Sequence, residues 1–291
     1  MTKINIKTKN IESLESFVEN KSILSDKIHI TWIGQAGFIL KFNQKLLIID
    51  PYLSDYLSKK YKGSLFPHVR LMDIPIDPQK INNLDFILSS HAHSDHMDPE
   101  TITLLSETNP DVKIIVPSAD INEAIRRGAK KNQIVPANDG KNLSFENQID
   151  IIGIAAAHET LKVNDEGEHH FLGYVFNLGG IKIYHSGDCV PYEGLVEKLR
   201  KQEIDLALLP INGRDEYRLK NGIAGNFIIP EVLELCKVAN IKFIIVHHFG
   251  MFAYNTVSEE ELKKLKNISS EKLQIIVPKI KECYIITKLS S

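Results

Sequence analysis

The stretch SSHAHSDHMDPET, residues 89–101, places His91, His93, Asp95 and His96 within six positions of a 291-residue chain that has eleven histidines. Imidazole and carboxylate side chains at this density are the donor set of a divalent-ion site. His93 is two residues from His91, so an extended turn points both rings the same way. Four donors on one short loop do not fit comfortably around a single ion. They can serve two adjacent ions if other segments complete each set and a carboxylate spans the pair; His158, Asp188 and His248 supply that remainder. An ion held this way lowers the pKa of water from about 15.7 towards roughly 7, so hydroxide is available at neutral pH to attack an electrophilic carbon or phosphorus. Asp95, or a water on the second ion, is the candidate to pass the proton to a leaving group. The sequence contains no G-x-S-x-G and no P-loop, and this chemistry needs no serine or cysteine nucleophile. The plainer alternative is a polar loop leading into a helix, with exposed histidines.

The candidate donors stand where apolar runs end. Asp50 follows LLII, His91 follows FILSS, His158 follows IIGIAAA, Asp188 follows IYHSG, and His248 follows FIIVH. Eleven β-rich runs recur, at 28–33, 38–42, 45–50, 85–90, 112–117, 149–157, 174–178, 181–186, 205–210, 242–248 and 273–277. Several are apolar almost throughout, which predicts strands buried on both faces. Helices are predicted between some of them. Asp98-Pro99 opens PETITLLSET, Ser118 caps ADINEAIRR, Pro191 opens PYEGLVEKLRK, Pro230 begins a helix through EVLELCKVA, and Ser258 caps EEELKKLK. In α/β architectures ligands gather beyond the carboxyl ends of strands, so five such positions predict one common site. His247 and His248 are adjacent and face opposite ways at a strand end, so one of the two is a ligand. His185, on a strand, reads as a buried, hydrogen-bonded histidine. His29 and His68 read as non-metal, and His169 and His170 as exposed or substrate-facing. The longest irregular stretch, 51–80, is predicted to be functional or mobile.

Composition narrows the function classes. Hydrophobic residues make 43% of the chain, charged residues 25%, and the net charge is −2. These are the proportions of an ordinary soluble globular protein, and they argue against nucleic-acid and polybasic membrane partners. The longest apolar stretches, such as Ile149 to Ala157, are too short to span a bilayer. The N-terminus MTKINIKTKNIESLESFVEN has no apolar h-region, and Cys189, Cys236 and Cys283 form no C-x-x-C pair. We therefore expect a cytoplasmic protein, with one domain spanning 1–291 and mixed sheets under outer helices. Cys189 is read as a small buried hydrophobe despite its neighbour Asp188.

HAHSDH matches the H-x-H-x-D-H signature, and the chain resembles the metallo-β-lactamase superfamily. TWIGQAGFIL, the Asp50 strand end, SHAHSDHMD, AAAHE, YHSGD and HHFGMF follow in that family's order. Within the superfamily, YHSGD, IDLALLPINGRD and the late HHF resemble the L-ascorbate-6-phosphate lactonase-like group. The resemblance implies an αββα sandwich, two mixed β-sheets flanked by helices, with the site on one edge. It implies that His91, His93 and His158 bind a first ion, that Asp95, His96 and His248 bind a second, and that Asp188 bridges them. Asp50 would stand behind them and orient a ligand histidine through hydrogen bonds. The ions would be Mn2+ or Zn2+, with iron a third option, and relatives imply a homo-oligomer.

For substrate, the loop LPINGRDEYRLKNGIAGN offers Asn212, Arg214 and Arg218, and Tyr254 follows His248 closely. Arginine presents a planar fork that matches phosphate or carboxylate. Lys59, Lys60, Lys62 and Arg70 in the long loop are weaker candidates. The predicted function is a metal-dependent hydrolase acting on a small, anionic or phosphorylated substrate, a lactone being one form. Two alternatives are a phosphodiesterase or nuclease of the same superfamily and a non-catalytic metal-binding relative.

Overall fold

Side-chain alternation along the first strands explains the layering. In FILKF, Phe38, Leu40 and Phe42 join the core between two sheets, while Ile39 joins a second core on the outer face. Leu47 and Ile49 point inward, and Leu46 and Ile48 outward. Phe86 and Leu88 face in and Ile87 faces out. Both faces are covered, so these strands read as continuous apolar runs.

The computed structural model describes residues 3–20 and 26–289. One sheet runs in the order β1 (Ile4–Asn10), β15 (Glu282–Lys288), β2 (Lys27–Trp32), β3 (Phe38–Phe42), β4 (Lys45–Ile49), β5 (Phe86–Leu88), β6 (Lys113–Pro117), β7 (Ile134–Ala137). Pairing is antiparallel as far as β4 and parallel beyond it. The other sheet runs β8 (Asn142–Phe145), β9 (Ile149–Ala155), β10 (Leu172–Leu178), β11 (Ile181–His185), β12 (Leu206–Pro210), β13 (Phe243–His247), β14 (Gln274–Ile276). It is antiparallel from β8 to β11 and parallel from there on. Both sheets are therefore mixed, and β9 runs in the same direction as β11 because each opposes β10.

Helices flank the two sheets. Leu14, Phe17 and Val18 of α1 (Leu14–Glu19), Ile102 and Leu105 of α3 (Pro99–Thr108), and Ala124 of α4 (Ile121–Arg126) pack into the outer core of the first sheet. Leu199 of α5 (Leu195–Gln202), Val232 and Leu235 of α7 (Ile229–Val238), and Leu262 and Leu265 of α8 (Glu259–Ile268) cover the second. Two shorter helices, α2 (Tyr56–Lys60) and α6 (Glu216–Lys220), lie in loops. The fold is the αββα sandwich that the motifs imply. Among the described residues, no helix is long and apolar enough to cross a membrane.

The helix starts follow their caps where the cap residue is free to act. Asp98 accepts the Glu100 N–H at 3.2 Å, and Ser258 forms a reciprocal capping box with Glu261. Two starts differ from expectation. Ser118 gives its hydroxyl to the Ala137 carbonyl, so α4 begins later, at Ile121. The helix after Pro191 begins only at Leu195, behind Gly194 at φ +93°. Strands β1, β7, β8 and β15 and helix α1 had no counterpart among the predicted elements. β1 is mostly polar and pairs with β15 from the far end of the chain, while β7 is short and contains Pro136.

Candidate metal centre

The chain turns abruptly at the strand ends that carry the donors. Asp50 after β4 and His248 after β13 adopt left-handed backbone, φ +47° and +62°. Gln35, between β2 and β3, does the same at φ +50°. Gly187, before Asp188, needs to be glycine: a Cβ there would lie 2.8 Å from Ser90 Cβ and 2.7 Å from the Leu172 carbonyl oxygen. That close approach brings the β11 end of one sheet against the β5 loop of the other.

All seven predicted ligands converge. The donor atoms of His91, His93 and His158 lie within 4.8 Å of one another, as do those of Asp95, His96 and His248, and those of His91, His96 and Asp188. Asp188 spans the two groups. Its Oδ2 is 4.0 Å from His158 Nε2, and its Oδ1 is 3.3 Å from His96 Nε2 and 3.4 Å from His248 Nε2. Asp95 Oδ2 is 3.6 Å from His96 Nε2 and 3.7 Å from His248 Nε2. Donors arranged tetrahedrally at about 2.0–2.2 Å from one ion stand roughly 3.3–3.6 Å apart. The second set therefore has the spacing that an ion requires. His91 Nε2 is buried without a hydrogen-bond partner, and His96 Nε2 and Asp188 Oδ1, also buried, have each other and His248 Nε2 close by. Such an atom costs about 1–3 kcal/mol unless something fills the role; a cation in the first set would satisfy His91 Nε2, and one in the second would satisfy His96 Nε2 and Asp188 Oδ1. His247, by contrast, faces the core, stacked on His185 with centroids 4.8 Å apart. Of the adjacent pair, His248 is the one that turns its ring towards the donor set.

Behind the ligands, Asp50 is fully buried and accepts three hydrogen bonds, from Ser90 N, Ser90 Oγ and His96 Nδ1, each at 2.7 Å. Because the Ser90 hydroxyl donates to Asp50, its oxygen is free to accept from His91 Nδ1, 3.0 Å away. One carboxylate thus fixes two histidines, His96 directly and His91 through Ser90, and turns both Nε2 atoms towards the centre. Ser90 had no assigned role in the sequence reading.

The charges divide between the two sets. Burial holds His91, His93 and His158 below the usual imidazole range, His158 at about 4, so the first set is three neutral rings with lone pairs available. Burial also works against charge at His96, but Asp188, Asp50 and Asp95 outweigh it and hold that ring well above its usual range. Burial of Asp188 is likewise outweighed by His248 and His96, which keep it strongly acidic. Asp95 is lowered for the same reason. In the metal-free protein the imidazolium of His96 supplies the positive charge between three carboxylates.

Residues 47–249 match the family described as a beta-lactamase superfamily domain. The chain belongs to this superfamily. It is 30% identical over 191 residues to a UPF0173 metal-dependent hydrolase of Saccharolobus solfataricus, covering 64% of this chain and 72% of the relative. It is 26% identical to a Pyrococcus furiosus protein of the same description, over 87% of this chain and 96% of the relative. Isothiocyanate hydrolase from Delia radicum gut bacteria shares the fold, with a TM-score of 0.68 and 20% identity over 88% of this chain and 97% of that one. Within the superfamily the chain is a metal-dependent hydrolase.

In this hydrolase the metal centre forms the floor of a cavity of about 510 Å³. The 51–80 stretch supplies much of the wall, including Lys60, Tyr61, Phe66 and His68, and faces Phe252 and Tyr254. His68 stacks on Tyr61 at 4.2 Å and meets Phe252 and Tyr254 edge-on. Tyr254 lines the cavity as expected. The other three substrate candidates do not, which corrects the sequence reading. Arg214 is forked onto Glu231 at 2.6 and 2.7 Å and also donates to the Asn226 carbonyl. Its guanidinium anchors the start of α7. Arg218 bonds Asp215 and Asn255 Oδ1, and Asn212 bonds the same Asn255 oxygen at 2.8 Å. Both brace Asn255, a wall residue, from behind.

The remaining candidates resolve simply. Lys59 pairs with Glu100, and Arg70 lies over the Tyr52 ring, so neither lines the cavity. His185 is buried and bonded to Ala36 O and Gly187 N, as predicted. His169 and His170 pair with Asn138 and Asp120 rather than with substrate space. Burial pushes the Cys189 thiol up to about 12, which fits an inert packing role. The sequence reading missed Arg127, which lines the cavity while bonded to Glu123 and to Met97 O. It also missed Gln35, whose Nε2 lies 2.8 Å from Asp95 Oδ2 and 3.2 Å from His248 Nε2.

Proposed function

We propose that this enzyme hydrolyses a small anionic substrate, a lactone or a phosphate ester, with two divalent ions, Mn2+ or Zn2+, at the floor of its cavity. The observation that carries the reading is the double set of donor atoms, bridged by Asp188, beneath an aromatic-walled opening. When bound, such ions supply an activated water and polarise the substrate oxygen. The chain does the rest. His91, His93 and His158 form the all-imidazole set, and Asp95, His96 and His248 the set that includes a carboxylate. Asp95 lines the cavity and is held as a carboxylate, so it can accept a proton there and return it to the leaving group. Tyr61, Phe66, Phe252 and Tyr254 exclude water from the substrate's apolar part.

The anion-binding role assigned to Arg214 passes to Lys60 and Arg127, the two cations of the cavity wall. Arg127 is already tied to Glu123, so Lys60, over the Tyr61 ring at 5.2 Å, is the more available. The three unpaired, buried thiols support a cytoplasmic setting. A panel of lactones, phosphodiesters and thioesters should be assayed with Mn2+-loaded and Zn2+-loaded protein. Hydrolysis of an anionic member is expected, with Lys60→Ala raising its KM about tenfold and an uncharged analogue changing far less. Equal effects on charged and uncharged substrates would refute the anion-binding role of Lys60. No turnover of any member by metal-loaded protein would refute the substrate class.

A further inference from the structure

Gln35 lies in TWIGQAGFIL, between β2 and β3, and is fully buried. Its backbone is left-handed, and its carbonyl accepts bonds from His248 N–H and Trp32 Nε1, each at 2.9 Å. Those bonds fix where the side chain goes. Its amide nitrogen sits 2.8 Å from Asp95 Oδ2 and 3.2 Å from His248 Nε2, two atoms that face the second ion position. Its Oε1 is buried with no partner. An N–H pointed at the Asp95 carboxylate is favourable while that space holds no cation. Once a cation is there, the same N–H faces positive charge and the amide oxygen, which is otherwise orphaned, is the group that belongs. The oxygen and nitrogen of a carboxamide exchange places by a half-turn of the terminal torsion, with little change of shape.

We propose that Gln35 is a ligand of the second ion through its side-chain oxygen, turning its amide over as the ion enters. This rests on the two-ion reading above and adds a neutral oxygen to Asp95, His96, His248 and Asp188. A fifth, hard oxygen donor suits Mn2+, whereas Zn2+ is content with four. Gln35 is thus the residue that biases the second site towards manganese.

The test uses full-length protein titrated with Mn2+, Zn2+ and Co2+ alone. Gln35→Leu is expected to weaken Mn2+ binding at one site about tenfold and Zn2+ binding less than roughly threefold. Its Co2+ visible absorption should intensify, as it does when the coordination number falls. Gln35→Glu restores an oxygen but cannot donate to Asp95, so it should keep the weak wild-type Co2+ spectrum. Gln35→Met keeps the shape without a hard oxygen and should behave like Gln35→Leu; thermal melting of the metal-free variants identifies any that fail to fold. An unchanged Co2+ spectrum and Mn2+ affinity in both Leu and Met variants would overturn the assignment. So would a Gln35→Glu spectrum matching Gln35→Leu, because that outcome makes the residue a hydrogen-bond donor to Asp95. Wild-type protein that binds fewer than two ions would instead overturn the two-ion reading.

Discussion

Asp50→Asn removes one charge from the metal centre without changing its shape, and the consequence can be worked out atom by atom. Asp50 Oδ2 accepts from His96 Nδ1 and Ser90 Oγ, and Oδ1 accepts from Ser90 N. Asparagine has one acceptor and one donor in those places. If its oxygen takes the Oδ2 place, its NH2 group meets the Ser90 N–H, donor against donor. If the oxygen takes the Oδ1 place, the NH2 group meets His96 Nδ1. That histidine must then accept at Nδ1 and carry its proton on Nε2, the atom aimed at the proposed second ion position. Either way one charged hydrogen bond is lost in a fully buried setting, about 1.5–3 kcal/mol. The same loss expressed as metal affinity is about 10–100-fold, the usual effect of removing a carboxylate behind a ligand histidine. His91 is reached only through Ser90, so the first ion should weaken less than the second. Calorimetric titration with Mn2+, alongside denaturant melts of the metal-free protein, reads both quantities. Two ions bound with wild-type affinity by Asp50→Asn would show that the buried hydrogen-bond chain does not set the orientation of His96.

Four further outcomes follow from the same geometry. Asp188→Ala should lose both ions, whereas Cys189→Ala should keep both. Elemental analysis after dialysis separates them, and equal losses would contradict the bridge. In folded protein at pH 8 the Cys189 thiol, held at about 12 by burial, should resist alkylation, and rapid labelling would show that the site opens. Arg214→Ala should leave metal content and KM within about twofold while lowering stability by roughly 0.5–1 kcal/mol, since its pair with Glu231 is partly screened by solvent; a large rise in KM would return Arg214 to the substrate. In the metal-free protein His96 is raised above its ordinary value of 6.5, so its stabilisation is complete below that pH and is lost as pH rises through the folded value. Metal must expel that proton, so affinity for Mn2+ should climb up to about tenfold per pH unit between pH 6 and 8, and a flat profile would refute the imidazolium.

The convergence of the candidate donors was legible in the sequence because the chemistry is dense and the scaffold is repetitive. His91, His93, Asp95 and His96 are close in the chain, and Asp50, His158, Asp188 and His248 each end an apolar run. Strand ends in a layered α/β fold point to one place, so the list could be assembled without knowing the sheet order. Side-chain partners across the fold were not legible. Arg214 has the right type and loop for an anion, yet Glu231, on the next helix, captures it. Nothing in the spacing of the two residues announces that pairing. Gln35 and Ser90 were passed over because one polar residue in an apolar stretch has many uses, and only tertiary contact selects among them. The edge strands β1 and β8 were missed for a related reason. They are half exposed and polar, and their identity comes from the partner they pair with.

The left-handed residues show how the two sheets are locked into a ready site. Gln35 belongs to the first sheet's loop and His248 ends a strand of the second. Ordinary side chains at φ near +50° to +60° cost roughly 1–3 kcal/mol each and persist only where the surroundings hold them. Here His248 N–H donates to Gln35 O, one left-handed residue holding another, and Asp50 N–H donates to Leu88 O of the adjacent strand, each at 2.9 Å. The first bond ties the two sheets together at the metal centre. The second ties β4 to β5, whose loop carries His91, His93 and His96. Because the strained turns and the ligand directions are fixed by the same bonds, the donors cannot relax away to satisfy themselves. That is why buried, unpaired nitrogen and oxygen atoms remain at the centre. The sandwich bears the cost of the strain, and the ligands it holds apart are thereby set for an ion before one arrives.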